Sequence, residues 1–163
     1  MDRAATATAQ WRQEIPGHDY GPMEVLGRLA EVAQVINQTH LTPVFARFGL
    51  QPGEFDVLAT LRRSGAPYRL SPTQLFKATM MSSGGMTARL DRLETAGLVM
   101  RSPCPKDRRS TQVGLTAKGT ALVEQALLAH LENETRLTAA LTKAEQQQLG
   151  QLLARLLAGL PEA

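Results

Sequence analysis

Between positions 89 and 109 stand six cations, Arg89, Arg92, Arg101, Lys106, Arg108 and Arg109, against three acids, Asp91, Glu94 and Asp107. Lysines and arginines at that density neutralise phosphates or other anions. No nucleophile with its base and orienting carboxylate accompanies them, and no paired carboxylates stand out, so an enzyme has almost no residues to carry it. His18, His40 and His130 lack metal-ligand spacing and there is no cysteine cluster, so no metal site and no cofactor are expected. Gly84-Gly85 is not a phosphate loop, because no G-x-x-x-x-G-K pattern surrounds it. The single cysteine, Cys104, lies between Pro103 and Pro105, near Arg101 and Lys106. Those cations could lower its pKa and make it a redox sensor; inert exposure is the plainer reading.

The elements that must position these cations can be read around them. At about 100° per residue, Met86, Leu90, Leu93 and Gly97 share one narrow stripe, the face a helix turns to a core. The opposite face carries Gly84, Thr87, Ala88, Asp91 and Arg92, slim enough to approach base edges in a major groove. Two β-prone runs, 98–101 and 111–115, flank a turn-rich loop, which predicts a hairpin whose tip holds Lys106, Arg108 and Arg109. Upstream, Ser71-Pro72-Thr73-Gln74 is a capping-box pattern that opens a short helix ending near Thr79. Two short helices, a slim helix and a cationic hairpin describe a winged helix-turn-helix: a mostly α fold with a small β wing.

Gly21-Pro22 opens a helix that runs to about Ala46, with Gly49 ending it, and 51–54 opens another through Arg63. In that second helix Phe55, Leu58, Ala59 and Arg62 share one side, and Asp56, Thr60 and Arg63 another. After the hairpin, 115–119 caps a long helix, and Thr142-Lys-Ala-Glu145 is a second capping box before a helix rich in leucine, among them Leu153 and Leu156. The small module has too little surface to cover these helices, so a homodimer is expected, each buried leucine adding roughly 1.5–3 kcal/mol. The 163 residues are 43% hydrophobic and 4% aromatic with a net charge of +3, which suits one domain of helices packed on helices. Its parts are a lobe over about 50–116, dimerisation helices over about 21–48 and 117–160, and an amino-terminal extension over 1–20. One cysteine, no apolar run of membrane-spanning length and no signal-peptide core make the expected location cytoplasmic, with no membrane partner.

The order of these signals resembles the MarR family of bacterial transcriptional regulators over essentially the whole chain. The matching motifs are Ser83-Gly84-x-x-Thr87, Leu90-x-x-Leu93-x-x-x-Gly97-Leu98-Val99, and Asp107-Arg108-Arg109-Ser110 followed by Val113-x-Leu115-Thr116. The resemblance implies a wing that reaches a minor groove with its arginines, a loop braced by Asp107, and a dimer interface made by the first and last two helices. Within the family the chain is similar to the PecS-like, urate-responsive branch, through Trp11 with Glu14-x-Pro16, 23–28 and 54–62. That likeness implies a pocket for urate or another small aromatic or heteroaromatic anion, formed by Trp11, Asp56, Arg89 and Arg101. Arg89 has independent support, lying some 40° from Leu93 at the margin of the buried stripe, where it needs an anionic partner. Asp56 could be that partner in an empty pocket, or could be simply solvated.

The expected function is a regulator, most naturally a repressor, that binds double-stranded DNA as a homodimer and is released by such an anion. Ser82, Ser83, Thr87 and Arg92 would meet the major groove or its phosphates; Lys106, Arg108 and Arg109 would serve the minor groove and backbone. The alternatives are a winged-helix interaction module that binds no DNA, and a redox-sensing regulator acting through Cys104.

Overall fold

The computed structural model describes residues 2–79, 85–103 and 110–161. In chain order the elements are α1 (Arg3–Glu14), α2 (Gly21–Val35), a π-helical segment (Ile36–Leu41), α3 (Thr42–Ala46), α4 (Glu54–Arg63), β1 (Arg69–Leu70), α5 (Pro72–Ala78), α6 (Met86–Thr95), β2 (Val99–Pro103), β3 (Thr111–Leu115), α7 (Ala117–Leu137) and α8 (Lys143–Ala158).

The helix expected from Gly21 to Ala46 follows one path but changes register. Pro43 has no N–H, so the carbonyl four residues before it loses its usual donor. The backbone widens just ahead of it: the Thr42 N–H donates to the Asn37 carbonyl, five residues back, and the Thr42 hydroxyl donates to the same oxygen at 2.9 Å. Such wide turns recur at functional sites.

Two glycines end helices by adopting positive φ, Gly49 at 71° and Gly97 at 70°. At each, the next residue's N–H reaches back five positions, Leu50 to Phe45 and Leu98 to Leu93, the Schellman closure. Gly97 therefore terminates α6 and is exposed; it does not extend the buried stripe. Met86, Leu90 and Leu93 are buried as their spacing requires. Both capping boxes form, Ser71 with Gln74 and Thr142 with Glu145.

The wing has three strands where two were expected. Residues 69–70 pair antiparallel with β3, giving the order β1-β3-β2, with Arg69 opposite Gly114 and Arg101 opposite Val113. The core is centred on the lobe and takes in the first half of α7: Val57, Leu58, Leu61, Leu75, Leu93, Val113 and Val123 are almost fully enclosed. The foot of α7 is pressed into the wing. A Cβ on Gly119 would stand 1.9 Å from the Leu98 carbonyl oxygen, and the Thr116 hydroxyl donates to the Gly97 carbonyl at 2.7 Å.

The remaining helices are apolar yet open. No residue of α2 or α8 is buried, although Met23, Val25, Leu26, Leu29 and Val32 project from one and Leu149, Leu152, Leu153, Leu156 and Leu157 from the other. Exposed apolar surface on that scale marks a face meant to be covered. No helix is long and apolar enough among the described residues to cross a membrane.

Candidate functional site

A cavity of about 1070 Å³ opens where the lobe meets the long helices. The π segment gives it Asn37, Gln38 and Leu41, α4 gives Phe55, Asp56, Ala59, Arg62 and Arg63, α7 gives Val123, Glu124, Leu127, His130, Leu131 and Glu134, and α6 gives Arg89. On α4 these positions fall on one face, because residues 55, 59, 62 and 63 recur at helical spacing and Asp56 lies beside them. Leu58 and Thr60 are instead buried in the core, so the division of α4 read from the sequence is corrected. Asp56 is a half-buried wall of the cavity rather than a solvated side chain.

Arg89 enters from the recognition helix. Its Nε donates to the Pro52 carbonyl at 3.4 Å, and its guanidinium folds back over Gly85, where a Cβ would meet Nη1 at 3.4 Å. Gly85 caps α6 at φ 84°. The floor of the cavity is aromatic. Phe45 and Phe55 stack at 4.2 Å, and the His130 ring leans on both at 5.2 and 5.1 Å. His130 Nε2 lies 3.1 Å from Glu134, while its Nδ1 is buried without a hydrogen-bond partner.

At the far end of α4, Arg62 donates from Nε and Nη2 to one oxygen of Glu124, at 2.9 and 2.7 Å. Its guanidinium also lies 4.8 Å from the Tyr68 ring centroid. The Glu124 hydrogen bond raises its pKa above the ordinary arginine value. Arg63 is occupied elsewhere, donating to the Thr60 hydroxyl and the Ala78 carbonyl.

The structure does not bring the other two expected pocket residues here. Arg101 donates to Asp91 at 2.6 Å and to Glu94, which ties β2 to α6. Its pKa is held above the ordinary value by Asp91 first and Glu94 second. Those two acids stand about one helical turn apart on α6. Trp11 is 45% exposed on α1. That helix docks on α2 through Thr8 to Glu24 at 3.0 Å, Arg28 to Asp2 at 2.8 Å and Arg3 to Glu31 at 2.6 Å, and in one chain it does not reach the cavity.

Of the residues expected at DNA, Thr87 is exposed on the first turn of α6. Arg92 is partly committed: its Nε donates to Glu54 at 2.8 Å. Ser82, Ser83, Lys106, Arg108 and Arg109 lie outside the described residues, as do Cys104 and Asp107. Arg62, Glu124 and the aromatic floor carry no motif or spacing that marks them as a site in the sequence. An arginine on the same side as Phe55 and Ala59 was the available hint.

Three-stranded wing, short helix pair and recognition helix define a winged helix-turn-helix protein. The family model described as "MarR family" matches residues 48–110. The chain is 44% identical to the HTH-type transcriptional regulator PecS of Dickeya dadantii over 146 residues, 90% of this chain and 87% of PecS. It is similar to a MarR variant from E. coli crystallised with operator DNA, at 30% identity and TM-score 0.72, covering 86% of this chain and 99% of that one. A MarR-like transcription regulator from Bacillus cereus, 24% identical, shares the fold at TM-score 0.77 over 88% of this chain and 100% of its own. The chain belongs to the MarR family of transcriptional regulators and is not an enzyme.

Proposed function

We propose that this regulator binds a pseudo-palindromic operator as a homodimer, in the manner of a repressor, and leaves it when a small aromatic or heteroaromatic anion enters the cavity. One observation carries the reading: Arg89, a residue of the recognition helix, lines the same cavity as Asp56 of α4. An anion drawn to Arg89 is repelled by Asp56, so occupation moves α6 relative to α4. A ligand shifts an equilibrium only through such differential contacts. The aromatic floor of Phe45, Phe55 and His130 suits a flat ring. Operator binding draws support from the MarR–operator complex that the chain resembles, and dimerisation from the uncovered leucines of α8.

The test begins with selection of bound duplexes from a random pool. Fluorescence anisotropy on the selected duplex then follows release by purines, urate among them, and by hydroxylated aromatic acids. Release by at least one of these, lost in Arg89→Ala with ligand-free DNA affinity kept within a few fold, is the expected result. A releasing anion that works undiminished on Arg89→Ala and Asp56→Ala would remove the cavity from the mechanism.

A further inference from the structure

The cavity holds a second cationic position that the anion chemistry above does not use. Along α4, Arg62 lies six residues beyond Asp56, about 9 Å at 1.5 Å per residue. The rest of the lining is largely apolar, with Phe55, Ala59, Val123 and Leu127 among it. A cavity of about 1070 Å³ is at the large end for a small-molecule site, and a single ring bound at Arg89 would leave the Arg62 end unfilled.

Arg62 is built to accept an exchange of partners. Its present partner, Glu124, has a side chain 50% exposed, and that of Arg62 is 38% exposed; an ion pair this open adds little stability and is easily broken. The other contact does not depend on Glu124. Tyr68 holds the guanidinium through its ring face and is itself fixed: its N–H donates to the Gly65 carbonyl at 2.7 Å and its carbonyl accepts from the Leu115 N–H at 3.2 Å. Tyr68 sits at φ 58°, a conformation non-glycine residues keep only where surroundings enforce it. When Glu124 swings to solvent, the Tyr68 ring is left to seat the Arg62 guanidinium, and its Nε and Nη2 donors become available to a ligand. A planar guanidinium so presented matches a carboxylate or an enolate oxygen pair.

We infer that the effector is a two-ended anion: a flat apolar body whose first acidic group meets Arg89 and whose second displaces Glu124 from Arg62. The inference rests on the cavity being the effector site, and it makes Arg62 the residue that separates two-ended from one-ended ligands.

The probes are 2-naphthoate and 2,6-naphthalenedicarboxylate, which share one ring system and differ in the second carboxylate. Binding to the DNA-free dimer is read by calorimetry, so that it stands apart from release. Wild type should prefer the dicarboxylate by about tenfold, the worth of a charge-assisted bond. Arg62→Gln should erase that preference, bringing the two affinities together. Glu124→Gln removes the competing carboxylate and should strengthen dicarboxylate binding alone, a gain that a misfolded variant cannot give. Equal affinities for both probes in wild type, or a preference that survives Arg62→Gln, would overturn the inference, as would failure of both probes to bind. Binding with the expected preference but no DNA release would uphold it and count against the release mechanism instead.

Discussion

The Nε of Arg92 donates to Glu54 across 2.8 Å, joining the recognition helix to the first turn of α4. Among the described residues Glu54 is the one charged side chain the core encloses, 5% exposed, and its second oxygen accepts the Gln51 N–H at 2.7 Å. An enclosed carboxylate demands such partners. Arg92→Ala should consequently cost about 1–3 kcal/mol of stability, visible in denaturant melts of the DNA-free protein, before any effect on base preference is scored. An unchanged melt would mean that the residue serves DNA alone.

The wing cations set a different expectation. Arg108→Ala should weaken binding to all duplexes alike and reduce the slope of log affinity against log salt by about one. Thr87→Ala should instead change which duplexes a selection recovers, with half-sites kept about one turn, roughly 34 Å, apart. Wing variants that bind as tightly as wild type at every salt concentration would contradict this division of labour.

The uncovered leucines of α8 make the third case. Leu153→Glu or Leu156→Glu places a charge where a second copy would bury the side chain, and sedimentation should turn a dimer into a smaller or aggregating species. A wild-type chain that sediments as a stable folded monomer at micromolar concentration would remove the dimer.

Docking of α1 should depend on acid. The Ala5 N–H and then Arg28 hold Asp2 below its ordinary pKa, and the Thr8 hydroxyl, followed by Arg12 and Arg28, does the same for Glu24. Groups with depressed folded-state pKa values stabilise fully above their unfolded values and lose that contribution as pH falls through the folded ones. Emission of Trp11, the only tryptophan, should therefore stay constant at neutral pH and change below about pH 4, with a smaller change in Glu24→Gln. A Trp11 signal that follows global unfolding, with no earlier step, would show α1 to be held by other contacts.

Legibility followed the length scale of each signal. The stripe of Met86, Leu90 and Leu93 spans two turns and was plain, as were the capping boxes, which need only four residues. Two residues cannot display a period, so β1 was invisible. The wide turn at Ile36–Leu41 follows from Pro43, a residue that the periodicity of the surrounding leucines and valines conceals. Arg89 could be read at the edge of the buried stripe of α6, whereas Asp56 stood beside it only through the family resemblance; both line the cavity. Arg101 could not be placed, since its choice of Asp91 and Glu94 depends on how β2 folds back along α6, which no spacing encodes.

The seat of Gly119 against Leu98 has a mechanical consequence. With no room for even one carbon between them, and with the Thr116 hydroxyl on Gly97 and Lys118 on the Ala96 carbonyl, the tail of α6, the root of the wing and the foot of α7 form a single welded joint. A joint this tight couples the tail of α6 and the root of the wing to the α7 strut. That strut runs 21 residues, about 31 Å, and a tilt of only 5° sweeps its far end through about 3 Å. In the dimer proposed above, a small rotation set by what fills the cavity would become a change of several ångströms in the gap between the two heads, the distance by which a duplex would be gripped or let go.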